Sequence, residues 1–206
     1  MKQFVSSVAI AAALALSAGA ALAAANVGQP APDFKVMDTA GKTVSLADFK
    51  GKHVVLEWVN PGCPFVVKHY GSSNMQGTQA EATGKGVVWL AVSSTAPDQG
   101  EYKKPADLAA WMKSQNAAAT ATLMDDDGTV GKAYGARTTP HMYIVNPSGT
   151  LVYAGAIDSI RSANPADIPK ATNYVKQALA ETLAGKPVTT ASTQPYGCAV
   201  KYSKGG

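Results

Sequence analysis

Cysteine is the residue type with the most reactive side chain in this sequence, which has two, Cys63 and Cys198. Cys63 comes shortly after an apolar, β-branched run at 53–59, and Pro64, a residue suited to the first turn of a helix, follows it. A cysteine between a buried strand and a helix start has its sulfur near the positive end of the helix dipole, which stabilises a thiolate. The pattern therefore predicts a nucleophilic thiol at Cys63.

Cys198 lies far along the chain, in a tail rich in Thr, Ser, Gly and Lys. Two cysteines are too few for a tetrahedral zinc site or for a small fold held together by disulfides. Cys63 and Cys198 are therefore a redox pair, a structural bridge or two independent thiols. For Cys198 this leaves three roles open, namely resolving cysteine, bridge partner and free thiol.

Glu57 is an acidic residue inside the apolar run, where β-strand alternation places it on the opposite face from Trp58. A carboxylate in so apolar a strand is costly unless it has a partner or a task. Two explanations are open: Glu57 is a proton acceptor for a leaving thiol, with its pKa raised by burial, or it forms a salt bridge with a lysine such as Lys52.

The elements that must position these residues follow from periodicity and turn signals. With 206 residues, 46% of them hydrophobic, the chain fits one domain with a full core. Strands and helices alternate and a hairpin and a last helix follow, which predicts an α/β fold with a mixed central sheet covered on both faces. We predict strands at 34–37, 43–46, 53–59, 87–92, 122–124, 142–145 and 151–154, and helices at 65–83, 105–112, 130–134 and 167–184. Gly71 and Gly77 are points at which the first of these helices is expected to bend or break.

Residues 1–23 combine an early lysine, an Ala-rich apolar run and a small-residue cleavage site, which is typical of a secretory signal peptide. An uncleaved anchor is the alternative. We predict a domain at 26–185 and a tail at 186–206 that docks on it through an apolar, aromatic segment around Cys198. The mature protein is then periplasmic or secreted and not embedded in a membrane.

Other partner classes are disfavoured. The net charge of +4 is modest and the basic residues are scattered, so no nucleic-acid partner is expected. The acidic stretch 125–128 lacks the distal glutamate of a calcium loop, which favours a simple turn. No metal and no cofactor is predicted.

Several motifs resemble one protein family. The lead-in V-G-Q-P-A-P-D-F, the following G-K-T-V-S-L-A-D-F-K-G-K and the strand H-V-V-L-E-W-V are similar to the first half of AhpC/TSA-type redoxins, and G-A-R-T-T-P-H-M-Y-I-V-N-P-S-G-T-L-V-Y-A-G resembles the second half of a thioredoxin fold. The resemblance implies a thioredoxin-like fold with an N-terminal hairpin extension. It also implies that Thr139-Pro140 is a cis step facing the reactive cysteine.

The resemblance assigns roles to individual residues. Cys63 matches the first cysteine of a C-x-x-C motif, and Val66 stands where the second would be. Asn60 stands where peroxiredoxins have a threonine that aligns the peroxide. The best match is a peroxiredoxin-like subgroup with a single active-site cysteine and the pattern C-P-[FY]-V-x-K-H-Y. The residues implied to contact substrate are Thr139, Pro140, Asn60, Pro64 and His141, although a solvated loop histidine is an alternative for His141.

These observations predict an exported thiol-disulfide oxidoreductase with Cys63 as nucleophile, Cys198 as resolving residue and Glu57 as proton acceptor. Its partners would be protein or small-molecule thiols and disulfides. Three alternatives stay open: a thiol peroxidase acting on peroxides, a metal-handling module with Cys63 and His141 as ligands, and a non-catalytic scaffold held by a structural bridge.

Overall fold

In this computed structural model the structure describes residues 25–204, so the predicted signal peptide at 1–23 lies outside the described residues. The strands are β1 (Lys35–Asp38), β2 (Thr43–Ser45), β3 (Val54–Trp58), β4 (Val88–Ser93), β5 (Ala121–Met124), β6 (Thr138–Thr139), β7 (His141–Val145), β8 (Leu151–Gly155) and β9 (Cys198–Ala199). The helices are α1 (Pro64–Gly71), α2 (Asn74–Gly84), α3 (Pro105–Ser114), α4 (Thr129–Tyr134) and α5 (Tyr174–Leu183), with 3₁₀ turns at Leu46–Phe49 and Pro165–Lys170.

Seven strands form one mixed sheet in the order β2-β1-β5-β4-β3-β7-β8. The central strands β3, β4 and β5 are parallel, and the strands on both sides of this trio pair antiparallel. β1 and β2 form the expected N-terminal hairpin. The predicted thioredoxin-like α/β fold is confirmed, with β6 and β9 as a separate two-stranded ladder.

The two faces of the sheet carry different cores. One core contains Cys63 and residues from α1, α2 and α5, whereas the other contains Trp58, Tyr143 and residues of α4. β3 and β4 are buried along their whole length, as expected for apolar strands covered on both faces. Neighbouring residues of β3 and β7 therefore belong to opposite cores.

Two of the predicted helices differ in extent from the observed ones. The helix predicted at 65–83 breaks at the first of its two glycines, because the chain turns after Gly71 and Ser73 adopts a left-handed φ of 60°. The helix at 167–184 begins only at Tyr174, because Asn173 caps it by accepting a hydrogen bond from the Lys176 amide at 3.0 Å. Within residues 25–204, no helix is long and apolar enough to cross a membrane.

Candidate active site

Cys63 lies where the central strand β3 gives way to α1. The turn at 60–62 is closed by a hydrogen bond from the Cys63 amide to the Asn60 carbonyl at 3.0 Å. Cys63 is the N-cap of α1, and the exposed Pro64 is its first residue. The first turn of α1 contains no acidic side chain, so the positive end of the helix dipole is not offset there. The predicted strand–turn–helix setting of Cys63 is therefore present.

Cys63 is joined to Cys198 by a disulfide. The Cα atoms are 5.8 Å apart, which is within the usual range for such bonds. Cys198 reaches Cys63 because β9 pairs antiparallel with β6, with Cys198 opposite Thr139. The structure thereby brings together two residues separated by 135 positions, and it excludes two independent thiols in this state.

The cis-proline loop packs against this disulfide. The Thr139–Pro140 peptide is cis, as the resemblance implied. The Thr139 carbonyl oxygen lies 3.0 Å from the Cys63 sulfur, and the Cys198 amide donates to that sulfur at 3.4 Å. The backbone edge of Thr139 that was expected to meet a substrate is paired with the chain's own tail.

Gly197 is what allows the tail to come so close. Its φ of 139° is one that side-chain-bearing residues rarely adopt, and a Cβ at this position would collide with the Thr139 carbonyl. The glycine before Cys198 is therefore a requirement of the β6–β9 contact.

The two cysteine residues differ in exposure. Cys63 is 0% exposed, whereas Cys198 is partly exposed. Cys63 belongs to the core between the sheet and α1, and Cys198 packs on the edge of that core. Of the two bonded cysteines, Cys198 is therefore the one with surface exposed to solvent.

A buried polar cluster, formed by Lys68, His69, Asp158 and Tyr196, anchors the tail just before Cys198. The Tyr196 hydroxyl donates to the Asp158 carboxylate, and the Lys68 Nζ lies 3.3 Å from Asp158 Oδ2. The Tyr196 ring also packs edge-on against Phe65 of α1, with centroids 5.7 Å apart. We call these four polar residues the Asp158 cluster.

The Asp158 cluster contains one charged pair and one neutral histidine. Lys68 and Asp158 are 0% and 3% exposed, and Lys68 also donates to the Ile160 carbonyl at 3.4 Å. Burial lowers the pKa of His69 to about 4, although the nearby Asp158 carboxylate opposes the shift. The cluster thus compensates its buried charge internally.

The tail is also fixed after Cys198. The Ala96 amide donates to the Lys201 carbonyl at 2.8 Å, and the Val200 amide donates to the Arg137 carbonyl at 3.0 Å. The Tyr202 hydroxyl donates to the Ala136 carbonyl at 2.7 Å. Cys198 is therefore held from both directions along the chain.

Asn60 uses both ends of its amide inside the protein. Its Nδ2 donates to Glu101 Oε2 at 2.6 Å, and its Oδ1 accepts from the Gly62 amide at 2.9 Å. Glu101 in turn lies 3.6 Å from the Lys201 ammonium of the tail. Asn60 thus shapes the turn before Cys63, and its predicted contact with substrate stays a prediction.

Glu57 is fully buried and accepts three hydrogen bonds. The donors are the Tyr70 hydroxyl at 2.8 Å, Gln79 Nε2 at 2.9 Å and Trp89 Nε1 at 2.7 Å. Burial raises the pKa of Glu57, and these hydrogen bonds oppose the rise. Within the described part of the chain the alternative salt bridge with Lys52 is not formed, and neither cysteine is among the hydrogen-bond partners of Glu57.

His141 lies on the other face of the sheet from Cys63. It shares a face of β7 with Tyr143, whose hydroxyl lies 3.0 Å from His141 Nδ1, whereas Met142 faces the core that contains Cys63. His141 is 4% exposed, so the alternative of a solvated loop histidine is wrong. Burial lowers its pKa to about 3, with a smaller effect from Arg137.

A metal site built from Cys63 and His141 does not fit this arrangement, because Cys63 is in a disulfide and His141 faces the other core. Among residues 25–204, no three His, Cys, Asp or Glu side chains are grouped as a metal would require. Asp125 accepts hydrogen bonds from the Val130 and Gly131 amides, as expected of a structural turn.

Sequence reasoning did not identify Asp158, Tyr196 or Glu101 as parts of the site. Tyr196 lies in the aromatic tail segment around Cys198, and that proximity was the available signal. Asp158 and Glu101 lie in loops with no motif, and only the folded chain brings them to α1 and to the turn before it.

A cysteine that caps the helix after the central strand, next to a cis-proline, is an arrangement typical of the thioredoxin-like class. Residues 27–154 match the AhpC/TSA family, and the chain belongs to that family. The single-cysteine subgroup stays a prediction.

Individual relatives agree with this class. Thiol-disulfide oxidoreductase ResA of Bacillus subtilis (strain 168) is 29% identical over 132 residues, which are 61% of this chain and 64% of ResA. The chain thus spans less than two thirds of that relative's length. A hypothetical protein from Sinorhizobium meliloti 1021 has a similar structure, with a TM-score of 0.74, 25% identity and coverage of 88% of this chain and 97% of that one.

The thioredoxin domain of a thiol-disulfide oxidoreductase from Bacteroides vulgatus is also similar. Its TM-score is 0.50 at 25% identity, and the match covers 70% of this chain and 96% of that domain.

Proposed function

We propose that this protein is a thiol-disulfide oxidoreductase whose Cys63–Cys198 disulfide opens and closes during its reaction. The observation that carries the proposal is the placement of this disulfide, with one sulfur at the N-terminus of α1 and the cis-proline loop against it. The helix end stabilises the Cys63 thiolate that forms when the bond opens. The names of the relatives support the same activity.

The substrates in this proposal are protein or small-molecule thiols and disulfides. Thr139 pairs with Cys198 and the cis Pro140 follows it, so in the oxidised state the chain's own tail lies where we place the substrate. Pro64 starts the helix at the reactive sulfur. We also propose that the protein is exported to a periplasmic or extracellular space, on the basis of the signal-like segment at 1–23.

A thiol peroxidase is the second candidate, and family membership is the observation that favours it. The site offers less support for this activity, because Asn60 replaces the threonine and its amide is already occupied by Glu101 and Gly62. Cys63 is also shielded from solvent.

A redox titration tests the proposal. The oxidised protein is equilibrated with glutathione buffers of graded potential, and free thiols are alkylated and counted by intact mass. A bond that opens above about −250 mV supports a redox-active pair, whereas one that persists below about −300 mV indicates a structural bridge. A stability measurement does not distinguish a redox-active from a structural disulfide. Closing a loop of this length adds about 5 kcal/mol to the free energy of unfolding in either role.

Two further measurements complete the test. Cys63→Ser and Cys198→Ser variants cannot form the intramolecular disulfide, so each should stop at a mixed disulfide and lose two-electron turnover with a model substrate, at equal folding yield. Rapid reaction of the reduced protein with hydrogen peroxide, with loss of one thiol to sulfenic acid, would favour the peroxidase instead.

A further inference from the structure

The opening of a disulfide by a thiolate is directional. The attacking sulfur approaches one of the two sulfurs along the line of the S–S bond, and the other sulfur leaves. Which cysteine receives the incoming thiol therefore depends on which sulfur can be approached from outside.

Access favours Cys198. Cys63 is 0% exposed, with the Thr139 carbonyl oxygen at 3.0 Å from its sulfur and core side chains of α1 around it. Cys198 is partly exposed and lies at the edge of the same core. Because Cys63 has no exposed surface, an approach to the disulfide from solvent has to be made at Cys198.

The leaving group also favours attack at Cys198. That attack releases Cys63, the N-cap of α1, and the helix end stabilises it as a thiolate. A leaving thiol that is a stable thiolate departs faster. Attack at Cys63 would instead release Cys198. Cys198 lies in the short strand β9, so no helix N-terminus stabilises its thiolate.

The anchored tail keeps the two sulfurs together during the exchange. Tyr196 is held by the Asp158 cluster before Cys198, and Tyr202 is held at the Ala136 carbonyl after it. Neither contact involves a sulfur, so opening the disulfide does not by itself remove them.

We propose that Cys198 is the entry cysteine, which forms the mixed disulfide with the partner, and that Cys63 is the buried leaving thiolate. This rests on the proposed function and reverses the roles expected from the C-x-x-C resemblance. An external thiolate bonds to the Cys198 sulfur while the Cys63–Cys198 bond breaks and its electron pair goes to Cys63. A second external thiolate then attacks the external sulfur, which gives an external disulfide and leaves Cys198 reduced. In sum two thiols are oxidised, one disulfide is reduced, and two protons pass to the cysteines.

The experiment uses the oxidised full chain with reduced glutathione as the probe. Acid quenching at short times and peptide mapping by mass spectrometry locate the glutathione adduct. We expect the adduct on Cys198 in an excess of at least about tenfold over Cys63. An adduct mainly on Cys63 would overturn the inference but leave the redox function intact. A disulfide that stays closed at every glutathione concentration would overturn the proposed function itself.

Single-cysteine variants give an independent measurement. The Cys198 thiol of Cys63→Ser should react with glutathione disulfide faster than the Cys63 thiol of Cys198→Ser, despite the helix end beside Cys63. Unfolding both variants in denaturant should abolish the difference, because it arises from burial in the folded chain. A faster reaction of folded Cys198→Ser would contradict the assignment.

Tyr202→Phe is the control that separates access from chemistry. It removes the hydroxyl bond to Ala136, which loosens the tail without touching either sulfur. We expect the Cys63 thiol of a Cys198→Ser/Tyr202→Phe variant to react faster than that of Cys198→Ser alone. An unchanged rate would show that burial under the tail does not control Cys63.

Discussion

Asp158→Asn tests whether the buried ion pair anchors the tail. The substitution keeps the shape of the side chain and an oxygen acceptor for the Tyr196 hydroxyl, but the Lys68 ammonium then faces a neutral amide. Removing one partner of a buried pair costs about 3–5 kcal/mol, because the remaining charge is uncompensated. Lys68 still donates to the Ile160 carbonyl. We therefore expect the free energy of unfolding to fall by about 3 kcal/mol, the lower end of this range.

A second substitution separates charge from packing. Lys68→Met in the Asp158→Asn background removes the unpaired charge and keeps an unbranched side chain in the same space. We expect it to restore about 2 kcal/mol, because apolar replacements of buried ion pairs are often close to neutral. This rescue is the signature of a charge effect, since a second packing defect would add to the first.

The assay is urea unfolding of the disulfide-intact protein. Asp167→Asn is the matched control, because its Lys170 partner is 66% exposed and the same change there should leave the midpoint unaltered. A cost below about 1 kcal/mol for Asp158→Asn, or no rescue by Lys68→Met, would refute the reasoning.

Gly197→Ala should slow formation of the disulfide during refolding, because the new Cβ collides with the Thr139 carbonyl. The rate is measured by alkylating the remaining free thiols at successive times. Gly71→Ala is the control, because a Cβ there meets open space. His141 is neutral in the fold, with a pKa lowered to about 3 from 6.5, so its contribution to stability is complete above pH 6.5 and is lost as the pH falls towards 3. Between about pH 7.5 and 5, the free energy of unfolding should therefore fall by about 2 kcal/mol less in His141→Phe than in the parent protein. An equal fall in both proteins would contradict this. Burial raises the pKa of Glu57 above 4.5, so its ionisation destabilises the fold as the pH rises through that raised value. Glu57→Gln should gain stability relative to the parent protein as the pH rises from 4.5, and a constant difference across the range would argue against a raised pKa.

The central part of the fold was predictable because its signals are local. The runs at 53–59 and 87–92 are β-branched and unbroken, and the structure places β3 and β4 within them. The strand–turn–helix setting of Cys63 follows from the same residues, with Pro64 marking the helix start. The opposite faces of Glu57 and Trp58 follow from strand alternation and are observed.

The remaining parts depend on long-range contacts. β6 and β9 have two residues each, too few to show any periodicity, and they pair although they are far apart in the sequence. His141 follows Pro140 in the sequence, which suggested proximity to Cys63, yet the pleat of β7 turns it to the other core. The Asp158 cluster joins α1 to two distant loops. No local sequence pattern predicts contacts between residues so far apart.

The separation of the two cysteines sets the order of events during biosynthesis. Cys198 is made 135 residues after Cys63, which at ordinary translation rates of about 5–20 residues per second is an interval of roughly 7–27 s. Throughout that interval the nascent chain contains Cys63 but not its native partner. The covalent closure of the domain is thus a late step, and an early thiol at Cys63 is open to foreign partners until the tail has docked.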